Sequence, residues 1–230
     1  MGAESLMTEN HIIEAVVPTL NEAPTIGYIL DEVKKYVDKI LVIDGNSTDD
    51  TLEIVQKKGA RVIVQETKGK GAALREALQV VHGNIVIFID ADGSMQPQEI
   101  PRYLQELDNG TDVVKGSRFL AKGSTDDMSF LRFLGNMFFV KLVNFIWSAK
   151  FSDLCYGFIA LNENAITKLA PALTSDNFEI ETEIVIKAHK LGLTIKEVPS
   201  VELRRQYGAS NLRTIRDGFS IFMTILKQIL

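Results

Sequence analysis

With one cysteine in 230 residues, Cys155, the chain can close no internal disulfide, which fits a reducing compartment. Its three histidines, His11, His82 and His189, stand far apart with no ligand spacing, so a histidine zinc site is not expected. Positive charge is short as well. The 25 Lys and Arg against 30 Asp and Glu leave a net charge of -5, which argues against a nucleic-acid partner. No uninterrupted apolar run reaches the roughly 18 residues of a membrane span. The start, Met1-Gly2-Ala3-Glu4-Ser5-Leu6, has neither the basic region nor the apolar core of a signal peptide, and Leu6 stands where a myristoylation pattern wants Ser or Thr. Residues 18–24 hold no glycine for a dinucleotide-binding turn, and no Gly-x4-Gly-Lys-Ser/Thr occurs. What is present is an ordinary globular balance, 46% hydrophobic and 24% charged, in a chain long enough to bury about 70% of its unfolded surface unaided.

Short β-branched runs alternate with helix-length amphipathic segments in the first half. Residues 12–17, 40–44, 61–65, 85–90 and 112–115 read as strands, and 22–37, 49–58, 71–81 and 97–107 as helices. The apolar run Ile85-Val86-Ile87-Phe88-Ile89 suits a central strand covered on both faces. Alternation at this spacing predicts right-handed βαβ units, hence an α/β fold with a mainly parallel sheet flanked by helices. Thr48 or Asp49 is expected to cap the second helix, and Pro97 to stand in the first turn of the fourth. Beyond residue 116 helical patterns take over, at 129–148, 163–169, 179–191 and 211–229, broken by an extended segment at 194–203. With no repeat or linker in view, residues 1–230 are expected to form one domain.

The chemistry gathers at strand ends. Asp90-Ala91-Asp92 leaves the most apolar strand, and ligands of open parallel sheets bind at the carboxyl ends of strands. Two carboxylates one residue apart suit one hard cation, Mg²⁺ or Mn²⁺, bridging a diphosphate, although a solvated turn would carry the same residues. Pro18-Thr19-Leu20-Asn21-Glu22 and Asp44-Gly45-Asn46-Ser47 open at the same edge. Lys68-Gly69-Lys70-Gly71-Ala72-Ala73 adds glycines for close backbone approach, N–H groups at a helix start and lysine charge, together an anion site.

These loops, followed by Lys115-Gly116-Ser117-Arg118-Phe119, Asp153-Leu154-Cys155-Tyr156-Gly157-Phe158, Phe178-Glu179-Ile180-Glu181-Thr182-Glu183 and Arg205-Gln206-Tyr207-Gly208-Ala209-Ser210, run in an order that covers nearly the whole chain. In this order the chain resembles the family 2 glycosyltransferases, within them the dolichyl-phosphate mannose synthase type. The resemblance implies a GT-A fold with a nucleotide-sugar half at about 10–115 and an acceptor half at about 116–230. It also implies a divalent metal and inverting transfer of one sugar, from a GDP-mannose or UDP-glucose type of donor to a polyprenyl phosphate. Pro18, Thr19, Glu22 and Asp44 would line the nucleoside pocket, with Lys70, Gly71, Ala91, Arg205 and Ser210 also on the donor. Asp90 and Asp92 would hold the metal, and Arg118 and Arg132, with Asn136 one turn on, the acceptor phosphate; Asp92, Arg118 and Arg132 form the expected catalytic set. Forked guanidinium donors suit a phosphate, whereas a surface ion pair is the plain alternative.

Three departures matter. Gly45 stands where relatives carry a second acid, so base selection does not transfer. Gly93-Ser94-Met95-Gln96 replaces the usual Leu-Gln, which leaves Ser94, Gln96 or water as a third metal contact. The Gln-x-x-Arg-Trp signature of processive synthases is missing, which favours single-sugar transfer. A lipid-phosphate acceptor needs little general-base help. A saccharide hydroxyl would need a carboxylate, with Glu179, Glu181 or Glu183 as candidates. A silent scaffold of the same fold is the remaining alternative, made weaker by the intact Asp90 and Asp92. Residues 130–147 and 219–230 form two apolar surfaces, expected to lie in the headgroup region at the cytoplasmic face of a membrane, although they could cover the sheet or a homo-oligomer interface instead.

Overall fold

The computed structural model describes residues 11–208 and 212–229. The first half alternates as its pattern predicts: β1 (Ile13–Thr19), α1 (Ala23–Val33), β2 (Lys39–Asp44), α2 (Thr51–Lys57), β3 (Arg61–Val64), α3 (Lys70–Val80), β4 (Ile85–Phe88), then a 3₁₀ turn at Pro97–Glu99 leading into α4 (Ile100–Asp108), and β5 (Val113–Ser117). The second half holds β6 (Ser124–Thr125), α5 (Phe130–Trp147), β7 (Ile159–Asn162), α6 (Glu163–Leu169), α7 (Ile180–Lys190), β8 (Ile195–Pro199), β9 (Val201–Glu202) and α8 (Thr214–Lys227).

Seven strands form one sheet in the order β3-β2-β1-β4-β7-β5-β8, while β6 and β9 make a separate two-stranded ribbon. Every pairing is parallel except those of β7, which runs antiparallel between β4 and β5. That strand is absent from the sequence reading, because the four residues Ile-Ala-Leu-Asn are too short for their period to be read. Through β7 and β8 the second half adds two strands to the sheet begun by the first.

Both faces of the sheet are covered, which is why β4 is apolar at every position. On one face Ile26, Ile29, Leu30 and Val33 of α1 and Ile100, Tyr103 and Leu107 of α4 pack on Val17, Val42 and Ile87. On the other, Ala73, Leu74 and Ala77 of α3, Leu169 of α6 and Ile180 and Ile184 of α7 pack on Val16, Ile43 and Phe88. A third apolar group joins Phe139, Val140 and Val143 of α5 to Val185 and Ile186 of α7 and Ile221 and Ile225 of α8. A carboxylate buried within the sheet is partnered: Glu14, 1% exposed in β1, accepts the His82 and Gly83 N–H groups. Asp49 holds two helix starts rather than one, since it accepts the N–H of Thr51 at α2 and that of Ala23 at α1.

Candidate active site

Because β1 pairs in parallel with β2 and β4, with Thr19 opposite Asp44 and Val16 opposite Phe88, the loops that follow all three open at one sheet edge. There lies a cavity of about 950 Å³, lined by the strand-end loops, the start of α3, the segment around Asn177, Arg205, and the facing parts of α5 and α8. It runs from a polar end at Asp90 and Asp92 to a groove between the two helices.

At the polar end each carboxylate is paired with a cation. Lys70 Nζ lies 2.8 Å from Asp90 and 2.8 Å from Glu181 Oε1. Arg205 bridges Asp92, at 3.1 Å, and Glu22. Burial, with Asp92 and Glu181 adding to it, pushes the Asp90 carboxyl up to about 6 even though Lys70 opposes the rise. Burial likewise raises Glu22 against the pull of Arg205. For Lys70 burial would lower the ammonium, but Asp90 and Glu181 outweigh it and the group stays charged. Among the described residues no group of three or more His, Cys, Asp or Glu is placed to hold a metal. Two half-buried carboxylates one residue apart do fit a hard divalent cation whose remaining ligands are diphosphate and water oxygens. Ser94 donates its N–H to Asp92 Oδ1 at 2.9 Å and so orients that carboxylate, while Gln96 reaches away to the Val201 carbonyl.

The structure brings Pro18, Thr19, Glu22, Lys70, Asp90, Ala91, Asp92, Arg118, Arg132 and Arg205 to this cavity. Two expected donor residues lie behind its wall. Asp44, fully buried, accepts the Ser47 N–H at 2.8 Å and the Ser47 hydroxyl at 2.5 Å, so it shapes the loop after β2 instead of facing a nucleoside. Gly71 backs onto the chain, and a Cβ there would lie 2.5 Å from the Ser175 carbonyl oxygen. The close approach expected of this glycine is therefore to its own protein, and the N–H of Ala72 is committed to Asp176. Ser210 lies outside the described residues.

Arg118, expected at the acceptor phosphate, is held by two carboxylates in this structure. Its Nε and Nη2 grip Asp153 at 2.7 and 2.9 Å, Nη2 also donates to the Cys155 carbonyl, and Nη1 donates to both Glu202 oxygens. All five N–H donors are engaged, so in this state no fork is left for a phosphate. Asp153 is fully buried; burial would raise its carboxyl, but Lys115 and Arg118 hold it below the usual range. Arg132 is different. Among the described residues it makes only long bonds, 3.5 Å to Thr214 Oγ1 and 3.3 Å to the Leu212 carbonyl, and forms no ion pair. Arg213 and Arg216 line the same groove, and sequence reasoning missed them although their spacing of three at a helix start puts them on one side. Asn136 is 3% exposed, with Oδ1 accepting from Leu154 and Cys155 while Nδ2 has no partner among the described residues.

The three candidate bases separate. Glu181 faces the cavity paired to Lys70, Glu183 is held by Thr174, Ser175 and Lys187, and Glu179 lies in a small polar cleft beyond Asn177. Burial pushes the Cys155 thiol up to about 12, which removes it as a nucleophile.

The family model "Glycosyl transferase family 2" matches residues 14–169, and the chain belongs to that family. It is 36% identical over 219 residues to glycosyltransferase AglJ of Haloferax volcanii, spanning 93% of this chain and 70% of that protein. It is 30% identical to the dolichyl-phosphate hexose transferase of the same organism, spanning 94% and 92%. In fold it is similar to glucosyl-3-phosphoglycerate synthase from Mycobacterium tuberculosis, solved with Mn²⁺ and uridine diphosphate, with a TM-score of 0.75 at 24% identity over 96% of this chain and 80% of that one. The GT-A architecture expected from the sequence is present.

Proposed function

We propose that the protein moves one hexose from a nucleoside-diphosphate sugar to a polyprenyl phosphate at a membrane surface. The observation that carries this reading is the continuity of the cavity, from the paired carboxylates to a groove between two helices whose outer faces are apolar. The dolichyl-phosphate hexose transferase relative supports the acceptor class.

Asp90 and Asp92 would hold Mg²⁺ or Mn²⁺, which when bound supplies charge neutralisation for the departing nucleoside diphosphate. Lys70 and Arg205, now on the carboxylates, sit where they can turn to the diphosphate oxygens. Arg132 and Asn136 meet the acceptor phosphate, whose oxygen is already anionic. It attacks the anomeric carbon as the bond to the diphosphate breaks, with inversion and with no proton to remove. The pairing or distance of Glu179, Glu181 and Glu183 fits a reaction without a base from α7. Asp127 also lines the cavity, and it keeps a saccharide-hydroxyl acceptor as the second reading.

Transfer of radiolabelled sugar to undecaprenyl or dolichyl phosphate, from a panel of UDP- and GDP-sugars, tests the reading. Asp92→Asn or excess chelator is expected to abolish transfer and weaken metal-dependent nucleotide binding, with the fold retained by circular dichroism. Full activity in chelator defeats the metal assignment. Transfer only to a soluble saccharide defeats the acceptor assignment.

A further inference from the structure

Two glycines sit inside the helices that flank the groove, Gly135 in α5 and Gly218 in α8. A mid-helix glycine costs about 0.5–1 kcal/mol relative to alanine, so each needs a reason. Neither of the usual reasons applies. Neither residue has a positive φ, and a Cβ on either would meet nothing within 4 Å. Gly27 in α1 shows the contrast, because a Cβ there would lie 3.3 Å from Ile54. Gly135 and Gly218 both line the cavity, together with Leu131, Phe139 and Ile221. One turn further along, the same two helices close on each other, where the Phe138 and Phe222 rings meet tilted, with centroids 6.4 Å apart. The pair is thus shut at the phenylalanines and open at the glycines.

The space is not simply void. Next to Gly135, the buried Asn136 has an Nδ2 without a partner among the described residues, and its orientation is set because Oδ1 accepts two backbone N–H groups. A buried unsatisfied donor costs about 1–3 kcal/mol, so the groove is built to receive an acceptor atom. Arg132 stands one turn before Asn136 at the same wall.

We propose that Gly135 and Gly218 form the open sides of a slot that admits the hydrocarbon chain of the acceptor, with its anionic head at Asn136 Nδ2 and Arg132. This rests on the lipid-phosphate reading above and adds the residues that decide which chains pass. Bare backbone on both walls leaves the width of an alkyl or isoprenoid chain where ordinary side chains would fill it. The apolar lining meets the chain, and the orphan amide meets the head.

The test uses a graded series at both positions on the full chain. Gly135→Ala and Gly218→Ala should raise the melting temperature and raise acceptor KM about two- to threefold, less than larger side chains do. Gly135→Leu and Gly218→Leu should also fold as well as wild type, keep wild-type nucleotide affinity by calorimetry, and raise KM for undecaprenyl phosphate about tenfold or more. Wild-type KM in both leucine variants overturns the inference, as does a loss of nucleotide affinity in step with the KM rise. Should the wild-type enzyme itself transfer to no lipid phosphate, the acceptor reading fails first and this inference falls with it, a result visible before any variant is made.

Discussion

Arg118 shows how a residue's chemistry depends on who reaches it first. Its guanidinium holds a fully buried Asp153, so Arg118→Ala should remove that carboxylate's ion-pair partner, leave only the charge of Lys115 to offset it, and cost about 3 kcal/mol in urea unfolding, a stability loss that a surface phosphate ligand would not produce. Arg118→Lys should recover little, because an ammonium cannot fork across two oxygens. Asp112 offers a pH test. Burial alone would raise its carboxyl, but donors from Asn164, Asn162 and Thr194 hold it down at about 2, below the ordinary 3.8. The depressed group contributes stability that is present above pH 4 and lost as pH falls toward 2. Asp112→Asn should therefore cost about 1 kcal/mol at pH 7, after discounting for its exposure to solvent, and the gap from wild type should fall to about half near pH 3 and close only below about pH 2.

At the scale of elements, the start of α3 is built against the segment 174–178. Gly69 has φ +116° and a Cβ there would strike the Asp176 carbonyl, so only glycine fits both demands. Gly71 has no strained backbone, yet a Cβ would still lie 2.5 Å from Ser175 O. Gly71→Ala should push α3 off that segment, lowering stability by about 1–3 kcal/mol and weakening nucleotide binding through the displaced Lys70, both measurable in one titration series. α5 is the one helix among the described residues long and apolar enough to cross a membrane by length and composition. Its Asn136, Phe139, Val140 and Val143 are nevertheless buried inside the protein, against α7 and α8. The other side carries Phe130, Leu134, Phe138 and Phe145, the last 86% exposed.

Over the whole molecule, α8 adds exposed Ile215, Phe219 and Met223 to the exposed apolar residues of α5, the helix it packs against, and Ile215 lines the cavity. We expect the protein to float with anionic liposomes, and Phe145→Asp with Phe219→Asp to reduce flotation severalfold while nucleotide affinity stays unchanged. Recovery of the wild-type chain in the lipid-free fraction at every lipid composition would leave the face for another copy of the chain. A lipid-linked substrate would then have to be extracted from the bilayer.

Much of this was legible before any coordinates. Periodicity and turn residues are local properties, so the strand–helix alternation from β1 to β5, an Asp49 carboxylate at the start of α2, Pro97 in the turn that opens toward α4, and the gathering of Glu22, Lys70, Asp90 and Asp92 at one sheet edge all follow from the residues themselves. The antiparallel β7 does not, because four residues carry no direction, and only the gap between β4 and β5 selects it. Nor do the charge partners. Arg205 meets Asp92 and Glu22 across 113 and 183 residues of chain, and Arg118 meets Glu202 across 84. Which carboxylate a cation finds depends on how α7, β9 and the loop before α8 fold back over the sheet. A sequence names the charged groups, but their distances decide which of them remain free to bind a ligand.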